Sequence, residues 1–276
     1  MGWHGHLALD YQFDGSTTRS RSRHHGPMRV LASLYPEGPR VCHHVLLHPP
    51  GGLVGGDVLE LDVGLCPSSH AVLTTPGATR FYRSAGDEAL QLVSAQIAAG
   101  ARLEWLPMET ICHRGTRAAN RLKFVLEPGA EMIGWDTLAL GLPASGESFD
   151  AGYLHQQIEL PGCWLERAIV DGANRRLLES RLGWAGNSVL ACIWFSRGDP
   201  IDGAMRQRLL DSAREAAAAS GLDASAGATC PNDRLVMLRA LSQRTEPAMR
   251  LLAKTRASWR RLAWDMPANP PRIWQT

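Results

Sequence analysis

The sequence has no Cys-x-x-Cys pair, no apolar run approaching the ~20 residues of a bilayer span, and almost no excess of either charge. Each absence removes a class of function. A net charge of +2 over 276 residues gives no strong pull toward nucleic acid or an anionic membrane, so neither is expected as a partner. The six cysteines (Cys42, Cys66, Cys112, Cys163, Cys192, Cys230) are scattered, which reads as reduced thiols in a cytoplasmic protein. The start, Met1-Gly-Trp-His-Gly-His, lacks the apolar segment of a secretion signal. There is no Gly-x-Ser-x-Gly elbow and no His-Glu-x-x-His helix, the marks of common hydrolases. The 45% apolar share nevertheless supports a sizeable core.

The stretch that organises the chain is Leu46 to Asp57, which holds two prolines and four glycines in twelve residues. Pro49 and Pro50 fix φ and lack amide donors, so the chain must leave any strand ladder there. Gly51-Gly52 and Gly55-Gly56 permit backbone angles closed to other residues, or close approach of another backbone. No Gly-Lys-Ser/Thr ending and no helix pattern follow, so the loop is not a nucleotide cradle. Asp57 then opens Val58–Leu65, where Leu59, Leu61, Val63 and Leu65 alternate as on a half-buried strand.

A repeat of about 30 residues follows, within the range that marks stacked units. Leu61-x-Val63-x-Leu65, Val93-x-Ala95-x-Ile97 and Leu122-x-Phe124-x-Leu126 each run into a turn of small residues and a further strand. With no helix between them, these strands predict a mainly β, elongated, β-helix-like stack over residues 1–198. Further strands are expected over 152–159, 164–170, 176–182, 189–195 and 235–241. Residues 199–276 form a second portion packed on this body as one unit. Its helices run from Asp202 to Ser220 and from Glu246 to Trp264, with Met249, Leu252, Trp259 and Leu262 on the buried side of the second. The tail from Pro267 is expected to be non-helical.

Chemistry is concentrated in carboxylates that keep apolar company: Asp57, Glu104, Glu109, Asp136, Glu147 and Glu166. A buried charge must be paired or hydrated, or must line a polar cavity. One reading pairs them with Arg83, Arg114 and Arg167. The other makes the set a hydrated passage suited to a divalent ion in transit. Cys42-His43-His44-x-x-x-His48 has metal-ligand residue types, but neighbours on a strand point to opposite faces and cannot meet at one ion. The second helix carries Arg244, Arg250, Lys254, Arg256, Arg260 and Arg261, either as a solvated face or as a docking surface for an acidic partner.

Three blocks resemble the urease accessory protein family UreD, also called UreH: His48-Pro-Pro-Gly-Gly-Leu-Val-Gly-Gly-Asp57, Leu73-Thr-Thr-Pro-Gly-Ala-Thr-Arg-Phe-Tyr-Arg-Ser84 and Leu103-Glu-Trp-Leu-Pro-Met-Glu109. The resemblance continues in order through Trp135-Asp136, Leu140-Gly141, Gly146-Glu147-Ser-Phe149, Leu165-Glu-Arg167 and Pro271-Arg-Ile-Trp274. Leu142 departs from it, standing where the family pattern has arginine. The resemblance implies a non-enzymatic scaffold with a β-helix-like fold and two helices. Its implied partners are UreF, UreG through UreF, and the urease apoprotein, in a dimeric accessory complex. It implies passage of Ni(II), and of bicarbonate for lysine carbamylation, toward the nascent urease centre through an internal tunnel, with no resident cofactor or tightly held metal. Carried onto this chain, Asp57, Asp136 and Glu166 are the first tunnel candidates, and Glu104, Glu109, Glu147 and His48 the second. Arg250, Arg256, Trp264, Ile273 and Trp274 are the candidate partner contacts. A metal-dependent hydrolase would instead need three or four ligands meeting at one point, and a purely structural adaptor would have a dry interior.

Overall fold

Leu61, Val63 and Leu65 lie beside Val93, Ala95 and Ile97, and those beside Leu122, Phe124 and Leu126, all parallel and in register. The predicted repeat is therefore one turn of a coil. The computed structural model, which describes residues 2–275, winds this coil about four times. Each turn lays one strand in a first sheet and one in a second. The first sheet contains β1 (His4–Phe13), β2 (Thr18–His25), β4 (Val58–Leu65), β7 (Ala89–Ile97), β10 (Thr116–Leu126), β12 (Gly152–Leu160) and β13 (Trp164–Asp171), in the order β13-β12-β10-β7-β4-β1-β2. The second contains β3 (Val41–Val45), β5 (His70–Thr74), β8 (Arg102–Leu106), β11 (Glu131–Leu140), β14 (Val189–Arg197), β15 (Ala226–Asn232) and β16 (Leu235–Ser242), in the order β15-β16-β14-β11-β8-β5-β3. Short strands β6 (Thr79–Phe81) and β9 (Thr110–Cys112) pair with each other, and β9 with the end of β11, to make a narrow third side.

The turn between the two sheets needs one residue at positive φ per coil. Gly100 (φ 70°) and Gly129 (φ 81°) supply it, and Ser68 (φ 64°) supplies it in the earlier coil. The small residues of the repeat follow from that requirement. Antiparallel strands finish the coil at both ends: β2 folds back on β1, β13 on β12, and β14, β16 and β15 extend the second sheet.

Two apolar cores result. One lies between the sheets, around Leu61, Leu103, Phe124 and Trp194. The other lies between the second sheet and two helices, around Trp135, Ile193, Leu238, Leu252 and Trp259. Those helices are α2 (Gly203–Ala218), whose N-terminus is capped by the Asp202 side chain accepting from Met205 N, and α3 (Thr245–Trp264). On α3, Leu251, Leu252, Trp259 and Trp264 are buried, whereas Met249 and Leu262 only flank the core.

Two local expectations are corrected, and one strand is added. The strand expected at Arg176–Leu182 is instead the short helix α1 (Arg175–Glu179), nucleated by Asn174, whose side chain accepts from Leu177 N at 3.1 Å. Strand β15, which the sequence patterning does not predict, alternates Ala226, Ala228 and Cys230 toward the core, and its Gly227, Pro231 and pairing bulge at the sheet edge mask that signal. The tail does take one helical turn, a 3-10 turn at Arg272–Gln275 just after its prolines. Thr276 lies outside the described residues.

The Pro-Gly loop is a clamp between coils. A Cβ on Gly55 would lie 2.1 Å from Ser84 Oγ and 2.6 Å from the Asp87 carbonyl, and Gly56 sits at φ 89° beside Gly2. Gly55→Val and Gly56→Val are each expected to cost about 3 kcal/mol or more, read as loss of soluble protein or of thermal midpoint. Gly51→Ala, at φ 74° but with open space around it, should cost less. Unchanged midpoints for both valine variants would remove the clamp role.

Candidate functional site

Between the two sheets, one level of the apolar interior is polar. Leu59, Gln91, Asn120 and Gln156 occupy matching positions on β4, β7, β10 and β12, all pointing inward. The last three form a ladder of amides. Gln91 Nε2 donates to Asn120 Oδ1 at 3.1 Å, and Gln156 Nε2 donates across to Asp136 Oδ2 at 3.0 Å. From Asp136 on β11 the second sheet continues the level, since Asp136, Cys192 and Arg239 are direct neighbours on β11, β14 and β16. Arg239 in turn pairs with Glu166 on β13 of the first sheet. The level therefore runs from a cavity of about 240 Å³, lined by His48, Thr75, Arg80, Gln91 and Trp105, to the half-exposed Glu166–Arg239 pair at the far edge.

This level is under-supplied with partners. Gln156 Oε1 and Arg239 Nε are buried without a hydrogen bond, as are the indole N–H groups of Trp105 and Trp194 nearby. Burial, and after it the Glu166 charge, raise the Asp136 carboxyl to about 7. Burial, with the Glu166 charge, likewise raises the Cys192 thiol to about 12, so it is a neutral thiol rather than a thiolate.

The sequence-derived residues divide across the molecule. Asp136 and Glu166 lie on the polar level. Asp57 does not: its two oxygens accept from Trp3 N at 3.1 Å and Val54 N at 2.9 Å, closing the Pro-Gly loop. Pro49 and Pro50 are exposed on that loop, and Gly52 packs under Tyr82. His48 sits at the cavity mouth against the Trp3 ring, 5.1 Å between centroids, with Nε2 buried and unbonded. Its basicity is lowered by burial, against the pull of Asp57. Glu147 accepts from Arg114 N at 3.0 Å beside His113. Glu109 lines a surface groove.

Glu104 and Arg256 require correction. Glu104 faces away from the coil interior, under α3, and is fully buried. It receives Arg256 Nε at 2.6 Å, Arg260 Nη1 at 2.5 Å and His70 Nε2 at 3.1 Å. Arg260 also pairs with Glu37, which accepts from His43 Nε2 at 2.8 Å and Asn269 Nδ2 at 3.1 Å. Burial pushes the Glu104 carboxyl up, but Arg256, His70 and Arg260 outweigh it and hold Glu104 far below the usual range. Glu104 is thus a structural ion-pair centre, not a passage residue. Arg256, 2% exposed, is its partner rather than a docking contact. An alternating polar helix face hides this, because a buried arginine and a solvated one look alike in sequence.

Of the remaining partner candidates, Arg250 and Trp274 line an open groove of about 760 Å³ between the second sheet, α3 and the tail. Leu142, Met249, Arg250 and Trp274 line it, together with Glu109 and Trp135. The Arg250 side chain is 77% exposed and pairs with Glu246. The tail is not loose: Trp274 Nε1 donates to Thr74 Oγ1 at 2.9 Å, and its ring lies 5.0 Å from that of Trp135. Ile273 beside it is half-buried. Trp264 is buried in the helix-side core and is not an exposed anchor.

Among the described residues, no three His, Cys, Asp or Glu side chains converge on a point that could hold a metal ion. The residues that sequence reasoning missed are Gln91, Asn120, Gln156, Cys192, Arg239 and Glu37. Two were within reach. Gln91 and Asn120 each stand two residues before the first apolar position of their repeat, which is one inward column.

A family model described as "UreD urease accessory protein" matches residues 4–275. Relatives carrying the name "Urease accessory protein UreD" include one from Leptothrix cholodnii, 55% identical over 278 residues, and one from Variovorax paradoxus, 53% identical over 276 residues. A third, from Methylibium petroleiphilum, is 52% identical over 297 residues, and in all three matches both chains are covered completely.

Proposed function

The chain belongs to the urease accessory protein UreD family, and from that premise we propose that it is a non-enzymatic scaffold that conducts Ni(II) to the nascent urease centre. The observation that carries this reading is the polar level through an otherwise apolar core. Side-chain amides and a carboxylate offer hard oxygen donors at intervals, enough to replace part of the hydration shell of a moving cation without trapping it. The scattered donors suit transit better than storage, which needs several ligands at one point. Nickel here is cargo. The purely structural adaptor predicts a dry interior, and the buried Gln156 Oε1 without a donor favours the wet alternative. The reading places the protein in the cytoplasm, in a complex with UreF, with UreG through UreF, and with urease apoprotein.

Co-expression with the remaining urease genes tests it. Gln156→Leu removes one rung while keeping side-chain bulk. Complexes should still form, and the urease recovered from them should hold less nickel. Full nickel content with Gln156→Leu and with Asn120→Leu would leave the dry adaptor as the better reading.

The groove beside α3 is the proposed UreF seat. Its apolar floor of Met249, Trp135 and Trp274 and its exposed Arg250 fit a partner segment with apolar anchors and an acidic flank. Soluble yield is therefore expected to rise when UreF is co-expressed. Leu142→Glu with Arg250→Glu should abolish UreF pull-down while the protein stays folded. Normal capture of UreF by that double variant would move the interface elsewhere.

A further inference from the structure

The end of the polar level is occupied by a cation that belongs to the protein. Arg239 lies beside Cys192, which lies beside Asp136, on three adjacent strands with all three side chains turned inward. Its guanidinium pairs with Glu166 of the opposite sheet and lies 6.0 Å from the Trp164 ring, while Nε is buried without an acceptor. The Arg239 and Glu166 side chains are 43% and 22% exposed, so this pair stands where the interior level meets solvent. Glu104, by contrast, is surrounded by two arginines and a histidine with no route out.

We propose that Arg239 is a specificity-determining residue of this level: a resident monovalent cation that fills the Glu166 position and yields it to a divalent cation. The proposal rests on the conduit reading above. A guanidinium held by one carboxylate contributes one charge, so a sodium or potassium ion has no electrostatic advantage in replacing it. A divalent ion gains from both Glu166 and Asp136 and does have that advantage. The arginine needs only to swing outward along its own half-exposed stem, and the Trp164 ring already beside it can keep contact with the guanidinium as the carboxylate is released. The level then stays electrically balanced when empty and discriminates by ion charge when used.

The test is equilibrium dialysis of Ni(II) against the full-length chain co-purified with UreF, in low and in high potassium chloride, for the natural sequence and three variants. Arg239→Gln removes the competing charge and should tighten nickel binding by about tenfold or more, and it should make that binding newly sensitive to potassium. Arg239→Lys keeps a cation and should behave as the natural sequence does. Glu166→Gln combined with Arg239→Gln removes both charges and should bind nickel more weakly than Arg239→Gln alone, and unlike that variant it leaves no unpaired charge at position 166. Equal affinity and equal potassium response in the natural sequence and Arg239→Gln would overturn the proposal. If a block at Asp136 stops nickel delivery yet Arg239→Gln changes nothing, the conduit stands and only the gating role falls. If the Asp136 block is itself silent, the conduit reading falls first.

Discussion

Glu104→Ala is expected to abolish soluble protein. The substitution leaves Arg256 and Arg260, 2% and 0% exposed, with their main counter-charge gone. Breaking a buried ion pair from one side costs ~3–5 kcal/mol, which is comparable with the whole stability of many domains. Glu104→Gln should be nearly as harmful, since it keeps the shape and loses the charge. Simultaneous Glu104→Gln, Glu37→Gln, Arg256→Met and Arg260→Met should recover part of the loss, because no buried charge is then left without its partner and side-chain volume is kept. Soluble yield and the thermal midpoint decide it, and a Glu104→Ala protein that melts like the natural one would sink the claim. The same cluster sets the acid response. Glu104 and Glu37 are held low in the folded state, so their stabilisation is present above the unfolded carboxylate range near pH 4 and is lost as pH falls toward their folded values. Burial lowers His70, so the unfolded chain takes up a proton there below about pH 6.5 while the folded one does not. Both effects have one sign. Because Asp136 titrates with the opposite sign, the check is made in Asp136→Asn, whose midpoint should fall from about pH 6.5 downward through His70 and more steeply below about pH 4 through Glu104 and Glu37.

Asp136 should behave in the opposite sense, and that contrast separates carrying nickel from holding the fold together. Its carboxyl is raised to about 7 by burial and by Glu166. Between pH 4 and pH 7 the folded state keeps a proton that the unfolded state has released, so stability declines as pH rises through that window. Asp136→Asn removes the titration and is expected to gain roughly 2–4 kcal/mol at pH 8, with little change at pH 4. The stabilised variant should nevertheless deliver less nickel, because an amide offers no charge to a divalent ion. Asp136→Ala, which leaves room for water, should be mild. Asp136→Phe fills the space beside Gln156 and should nearly abolish nickel in the recovered urease while UreF still binds. Asp136→Lys should be worse again, through direct repulsion in a poorly screened interior. Nickel per urease, pull-down and melting across pH 5–8 read all of this out. Undiminished nickel with Asp136→Asn and Asp136→Phe would end the role of this residue in transfer.

The coil was legible because its signal is local and repeated. Three apolar triplets about 30 residues apart aligned into three adjacent strands, and the turn chemistry after each followed. The two C-terminal helices were legible from the Asp202 cap and the apolar spacing. What stayed hidden was the orientation of polar residues. Glu104 and Asp136 are both acids beside tryptophan in apolar strands, yet one faces α3 and the other faces the coil interior. The difference is one of strand phase against two cores, and no sequence window contains both cores. Arg256 and Arg260 were hidden for the same reason, since helix α3 buries charge where its spacing advertises solvent. Asp57 was misplaced because its loop-closing role is made by backbone amides, which leave no mark in sequence.

In-register stacking also sets which changes a lineage can tolerate. The coil works as a ruler in which each turn of chain is one division, and a residue's inward or outward address is its count from the turn, read modulo two. Lengthening the loops outside the strands leaves every address intact. Deleting Leu90 at the start of β7 would turn Gln91 to solvent together with Val93, Ala95 and Ile97, erasing a rung and an apolar layer at once. Length variation among relatives should therefore collect at the corners of the coil. The spacing from corner to rung should stay constant even where the rung itself changes from amide to acid.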